Sequence, residues 1–306
     1  MVSSPVNITL LAGGVGGAKM AEGFASIEKV NLSIIGNIGD DEIFHGLLVS
    51  PDIDTLTYTL SGLVNKSQGW GVKNDTYRSL STLSLLGNET WMSLGDSDFG
   101  LHIYRTEKLK NGERLSNIVN DIAKAFKIKP KILIPTDDRV QTRVKTKRGW
   151  ISFQEYFVRE KCRPKVLSLK YQGIEKASPT KEALEALENA DLIVLAPSNP
   201  LLSIAPILEI KGIKDKLKRC NAPIISISPL IAGKAIKGPT VEIMKSLGLK
   251  TNSIGVAELY KDFVDAMVID KKDKDLNKEI LKMGINVKNY NIYMRDIEEK
   301  KLLAKN

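Results

Sequence analysis

A short apolar run, VNITL from Val6, meets four glycines within five positions (Gly13, Gly14, Gly16 and Gly17) and passes into MAEGFASI, a helical pattern. A strand that turns through glycine directly into a helix starts a βα unit, and such units build parallel sheets. Further apolar, β-branched runs at Ile8–Ala12, Leu32–Gly36, Lys131–Ile134, Leu192–Ala196 and Ile224–Ser228 alternate with helix-like segments at Ala18–Ile27, Asp75–Leu86, Leu115–Phe126, Thr180–Asn189, Lys211–Arg219 and Thr240–Leu247. Several runs are apolar throughout, as strands covered on both faces must be. The expected fold is α/β: a Rossmann-like, mainly parallel sheet with helices on both faces, formed by one domain over residues 1–306. One section departs from this rhythm. Val140–Glu160 alternates apolar and polar residues around Arg148-Gly149 and reads as a hairpin, the heart of an accessory subdomain over 139–184. Residues 61–94 read as mostly helical around a tight Gly69-Trp70-Gly71 turn, and the last dozen residues as a charged, frayed helix.

The glycine loop is not a Walker A motif, because Lys19 follows Ala18 and Met20 stands where a magnesium-binding hydroxyl belongs. Nor is it a full dinucleotide fingerprint, since Lys19 occupies the third glycine position. The physics still favours phosphate: glycines let the backbone approach closely, and the helix start offers unpaired N–H groups and a positive dipole end. The competing reading is a tight turn without ligand, against which four glycines in five positions exceed what packing demands. Three acidic pairs follow, Asp40/Asp41, Asp52/Asp54 and Asp96/Asp98. Beside a phosphate loop, carboxylates in pairs suggest magnesium; as turn and cap residues they need none. LIVLAPSNP (Leu192–Pro200) and SISPLIAGKAIKGP (Ser226–Pro239) are further strand-to-loop junctions able to read a base, a ribose or a phosphate.

Composition excludes several alternatives. The net charge of +9 suits a polyanionic substrate, and no zinc-finger or RNP motif supports nucleic-acid binding. No apolar run reaches the ~18 residues of a membrane span, and no signal segment is evident, so a cytoplasmic protein is expected. Two histidines, His45 and His102, are too few for a His-rich zinc site, and Cys162 and Cys220 are expected to be reduced thiols.

Taken together, GGVGGAK, NIGDD, SPDIDTLTY, GWGVKNDT, LGDSDFGLHIYRT, IPTDDRVQTRVKT, APSNPLLSIAPIL and SPLIAGKAIKGP occur in the order that resembles the 2-phospho-L-lactate transferases of coenzyme F-420 biosynthesis. The resemblance spans residues 7–268 and implies a magnesium-dependent enzyme. Such an enzyme moves a phospho-three-carbon acid (phospholactyl, phosphoenolpyruvyl or phosphoglyceryl) from a guanosine-diphosphate-linked donor to the terminal ribityl hydroxyl of the deazaflavin Fo, and GMP leaves. It also implies a homodimer. Carried onto this chain, Gly13, Gly14, Gly16, Gly17 and Lys19 surround phosphates. Asp41 and Asp54 face the metal and the Fo hydroxyl, with Asp52 or Asp54 as the proton acceptor. Asn37, Ser93 and Asp96 fall at binding positions, and Ser198 and Asn199 contact the guanosine part. Ser93 and Ser97 stand where relatives carry basic residues, and Arg105 is the candidate to compensate. Trp70, Tyr77 and Trp91 are candidates for one wall of the deazaflavin site. The alternative is a non-catalytic nucleotide-sugar-binding regulator of the same fold; an oxidoreductase is disfavoured by the broken fingerprint.

Overall fold

The computed structural model describes residues 4–306. In chain order the strands are β1 (Val6–Ala12), β2 (Val30–Gly36), β3 (Glu42–Phe44), β4 (Leu47–Val49), β5 (Lys131–Leu133), β6 (Gln141–Thr146), β7 (Gly149–Ser152), β8 (Ser168–Gln172), β9 (Leu192–Leu195), β10 (Ile224–Ile227), β11 (Leu230–Ile231), β12 (Lys234–Ala235), β13 (Ala266–Asp270) and β14 (Asn286–Tyr290). Seven of them form one sheet in the order β14-β13-β10-β9-β1-β2-β5. Every pairing in it is parallel. The Rossmann-like α/β architecture is therefore present. β1 lies in register with β2 from Val6–Val30 to Ala12–Gly36, and on its other edge with β9. The chain thus leaves β1 in one direction and later returns to its opposite side, which opens a crevice at the carboxyl ends of β1 and β9.

The inner strands are buried on both faces because both are covered. Leu11, Ile35, Ile193 and Leu195 join one apolar cluster, while Leu10, Ile34, Val194 and Ile227 join the other. Two strands of this sheet escape the sequence reading, β13 and β14. β14, with the sequence NVKNY, lies at the sheet edge, where one side stays wet and polar residues are tolerated.

Helix α1 (Gly14–Ala25) begins inside the glycine run, four residues before the sequence pattern places it. The stretch SPDIDT is the start of helix α2 (Pro51–Leu60), with Pro51 in the first turn where its missing N–H is harmless. Residues 61–94 hold only one helix, α3 (Arg78–Leu85); glycines, asparagines and serines break the rest into turns closed by a Val64–Val72 bridge. LGDSD opens a further helix, α4 (Asp96–Lys110), and α5 (Leu115–Ala125) follows. The expected hairpin is present as β6 and β7, and β8 completes a three-stranded antiparallel sheet. Its apolar side, with Val144, Tyr156 and Val166, packs on Leu202 and Ile243 of the main body.

The C-terminal residues are not frayed. A helix at Ile297–Lys305 lies along α1, burying Leu303 and pairing Lys300 with Glu22. Contact is close because residue 23 is glycine: a Cβ there would lie 2.6 Å from the Lys300 carbonyl oxygen. Gly23→Val should therefore force the two helices apart and cost about 1–3 kcal/mol, read as a lower midpoint in urea unfolding.

Candidate active site

The carboxyl ends of β1, β2, β9 and β10 converge on one cavity of about 670 Å³. One side is the glycine loop. Ser198, just beyond β9, fixes it: the Ser198 hydroxyl donates to the Gly13 carbonyl at 2.7 Å and accepts the Gly13 N–H at 3.2 Å. The glycines follow from this intimacy. A Cβ on Gly13 would meet Ser203 Cβ at 2.6 Å, one on Gly16 would collide with the Pro197 carbonyl, and one on Gly17 would reach Ser198 Oγ at 2.9 Å. Gly14 has φ +60. Packing and backbone conformation thus account for all four glycines, contrary to the sequence expectation. The same packing leaves the first turn of α1, which carries no acidic residue, facing the cavity beside Lys19. The Lys19 ammonium donates to the Met294 carbonyl at 2.8 Å. Burial, then Lys300 and Lys237, hold its pKa below the ordinary lysine value.

The opposite side is acidic. Asp40, Asp52 and Asp54 line the cavity. Asp52 accepts the Asn37 amide at 2.9 Å, and burial raises its pKa to about 6. Asp40 is raised well above the carboxylate range by burial, then by Asp52 and Asp41, and its Oδ1 is buried without a partner. Asp54 is different: the fully buried Arg105 guanidinium grips both its oxygens, with Nη1 to Oδ2 at 3.3 Å, and also holds the Leu48 carbonyl at 3.1 Å. His102 Nδ1 sits 3.6 Å from Asp54 Oδ2, and burial pulls the imidazole pKa down to about 4, so the ring is neutral. Tyr58 donates to Asp98 at 2.8 Å on the same wall.

Of the residues singled out in the sequence, Gly13, Gly14, Gly16, Lys19, Asp52, Asp54, Ser93, Ser198 and Asn199 line this cavity. Gly17 is buried beneath it, and Asn37 stands behind Asp52. Asp41 lies off the cavity wall, where it accepts the Ser50 hydroxyl at 2.7 Å. Asp96 turns away: its carboxylate takes the Thr76 hydroxyl and the N–H groups of Arg78 at 3.1 Å and Ser79 at 2.9 Å, the first of which holds its pKa below the usual range. It ties α3 to α4 and does not reach the cavity. Asn199 caps the following turn through Leu201 and Leu202 and holds Thr240 at 3.1 Å, so its amide is already engaged. Arg105 is committed to Asp54 and supplies no basic contact in place of Ser97, which binds Asp75. Of the aromatic candidates, Trp70 reaches the cavity, while Trp91 packs edge-on against Phe44 and Tyr77 is exposed elsewhere.

The sequence reading took Asp98 only as half of an acidic pair, His102 only as one of two histidines and Arg105 only as a stand-in for a basic residue; it missed that the three share one face of α4 at i, i+4 and i+7. Periodicity within GDSDFGLHIYRT carries that signal.

A magnesium ion needs one or two carboxylates with phosphates and water. Among the described residues no cluster of three His, Cys, Asp or Glu side chains could hold a metal unaided. Asp41 and Asp54 fit poorly as the pair, one lying off the cavity and the other neutralised by Arg105. Asp40 and Asp52 fit better: both line the cavity, they repel each other, and Asp40 Oδ1 lacks a partner.

Fold and site together define a Rossmann-like α/β protein with a glycine-walled, carboxylate-rich cleft at the sheet's switch point. The family model for 2-phospho-L-lactate transferase CofD matches residues 8–303. The 2-phospho-L-lactate transferase of Methanocaldococcus jannaschii is 37% identical, covering 98% of this chain and 96% of the relative. Those of Methanococcoides burtonii and Methanopyrus kandleri are each 35% identical over 97% and 98% of this chain, and 96% of each relative. The chain belongs to the 2-phospho-L-lactate transferase family. Two crystal structures of a Bacillus halodurans protein, one titled a member of the UPF0052 family, share the fold: TM-scores are 0.59 and 0.57, with 17% and 16% identity, and each covers 98% of this chain and 91% of the other. Among the described residues no helix is long and apolar enough to cross a membrane.

Two outcomes follow from the charges. Asp52 has a folded pKa of about 6 against an ordinary 3.8, so above pH 6 the fold carries an unfavourable buried carboxylate. Asp52→Asn should raise stability at pH 7.5 by on the order of 2 kcal/mol, and the gain should vanish below about pH 4, where both states are protonated. Arg105→Met strands Asp54 and should cost about 3–5 kcal/mol in urea unfolding, with much of the loss recovered when Asp54→Leu is added.

Proposed function

We propose that the chain transfers a phospho-three-carbon acid, 2-phospho-L-lactate as in the named relatives, from a guanosine-diphosphate-linked donor to the terminal ribityl hydroxyl of the deazaflavin Fo in coenzyme F-420 biosynthesis. The hydroxyl oxygen attacks the outer phosphorus, the phosphoanhydride bond breaks, GMP departs and the hydroxyl proton is released. The observation that carries this reading is the meeting of the glycine loop with Asp52 and Asp54 in one cleft, beyond which lies a second, polar wall. A nucleotide-binding regulator needs only the first half.

Phosphoryl transfer asks a protein for alignment and charge stabilisation more than covalent chemistry. On the donor side, the N–H groups at the start of α1 and the Lys19 ammonium face the phosphates. Asp40 and Asp52 would hold magnesium there, and the ion would neutralise phosphate charge as the leaving group departs. On the acceptor side, Asp54 accepts the hydrogen bond of the attacking hydroxyl. Arg105 pairs with it and fixes its direction, and Tyr58, Asp98 and Ser93 supply polar contacts around the acceptor. Gly13 and Ser198 hold the two halves in place.

The test is incubation with Fo, magnesium and the lactyl, enolpyruvyl or glyceryl guanylated donor, with products followed by mass. A product equal to Fo plus the phospho-acid, with GMP released, is expected, and the productive donor identifies the acid. Asp54→Asn should lower kcat by about 10²-fold or more, because it removes the charge that orients the hydroxyl. Tight donor binding without product from any donor would favour the regulator.

A further inference from the structure

The loop after β10 carries a second lysine at the cavity mouth. Lys237 lines the cavity beside Ile236 and Gly238. Its loop is anchored close by, since Thr240 is buried and holds the Asn199 amide at 3.1 Å. The Lys237 ammonium donates to the backbone carbonyl of Gln68, a residue 169 positions away. That carbonyl begins the Gly69-Trp70-Gly71 turn, which lies directly on the phosphate loop: a Cβ on Gly69 would stand 2.7 Å from Val15 Cγ1 and 3.3 Å from the Lys237 nitrogen. Gly69 also has φ +83, so glycine is required twice over.

An ammonium has three donors, and the Gln68 carbonyl takes one. Lys237 also lies near enough to Lys19 to disfavour its charge. Two lysines placed together above a helix start, while neighbouring Lys300 has Glu22 as its partner, form an arrangement that costs energy until an anion arrives. Both lysines line the cavity that the first turn of α1 faces.

Resting on the transferase reading above, we propose that Lys237 binds the donor's diphosphate, and that through Gln68 the same ammonium holds the Gly69–Gly71 turn over it. Lys237 is then a specificity residue for a nucleoside diphosphate over the bare nucleoside, and it makes Trp70 part of the donor-side roof.

The experiment is titration calorimetry of the full chain with GDP and with guanosine, in magnesium, for the parent, Lys237→Met and Lys237→Arg. Lys237 is exposed, so the fold does not depend on it. The expected result is a GDP Kd raised about 10- to 100-fold in Lys237→Met, the loss of one charge-assisted contact, with guanosine affinity within about 2-fold of the parent and partial recovery in Lys237→Arg. Unchanged GDP affinity in Lys237→Met would overturn the proposal. So would an equal weakening toward GDP and guanosine, which would mark Lys237 as a support for the turn alone. If the parent binds neither, yet turns Fo over with a donor, only this assignment falls; if it binds neither and makes no product, the transferase reading falls with it.

Discussion

The cavity exists because two strand-to-helix turns touch. At the carboxyl ends of β1 and β9, the Ser198 hydroxyl satisfies both the carbonyl and the N–H of Gly13, and the Pro197 carbonyl occupies the space a side chain at Gly16 would take. Buried backbone groups left without partners cost energy, so this exchange sets how the two turns sit. Everything in the cleft is placed from there. Gly13 also lies against both Asp52 and Ser203, and the Asn37 amide joins Asp52 to the Leu202 carbonyl, so the glycine loop, the turn after β9 and the start of α2 meet at one point. A larger residue at any of these points would push the glycine loop outward and move a carboxylate together with it.

The charges in the cleft are arranged against the stability of the fold. Asp40, Asp41 and Asp52 are all raised by burial, and one guanidinium, Arg105, stands among them and Asp54. A fold selected for stability alone has no use for carboxylates that repel each other out of water. Proteins tolerate such clusters where ligand charge completes them, and the cost is carried by the large apolar clusters on both faces of the sheet. Arg105 pairs directly with one of the four carboxylates, which gives Asp54 a different character from its neighbours.

Much of this was legible in the sequence. Buried parallel strands announce themselves as unbroken apolar runs, and β1, β2, β9 and β10 stand where those runs are. The polar edge strand β14 has no such pattern, because one side of it faces water. The helices α2 and α4 were hidden for a local reason: SPDIDT and GDSD are turn-like sequences, and their aspartates are also favoured in a helix's first turn. Reading them as turns concealed the partnership of Asp54 with Arg105, which depends on two helices facing each other. Asp96 was misplaced for the same reason, since a cap residue and a ligand carboxylate look alike until the direction of the side chain is known. The glycines at 13, 16 and 17 mark close approaches of the loop to Asp52, Ser203, the Pro197 carbonyl and Ser198, a constraint that packing alone imposes.

The remote fold neighbours share this scaffold at 17% identity or less, and a scaffold alone does not define a reaction. What distinguishes the cleft is how α2 enters it. Successive residues of a helix are turned by about 100°, so two residues apart point to nearly opposite sides. Asp52 therefore faces the glycine loop and Asn37, while Asp54 faces Arg105 and His102 on α4, although both line one cavity. A single helical turn thus addresses the glycine-loop side and the α4 side of the cleft at once. Because both carboxylates sit within one helical turn, they cannot drift independently, and the two sides of the cleft keep a fixed relation to each other.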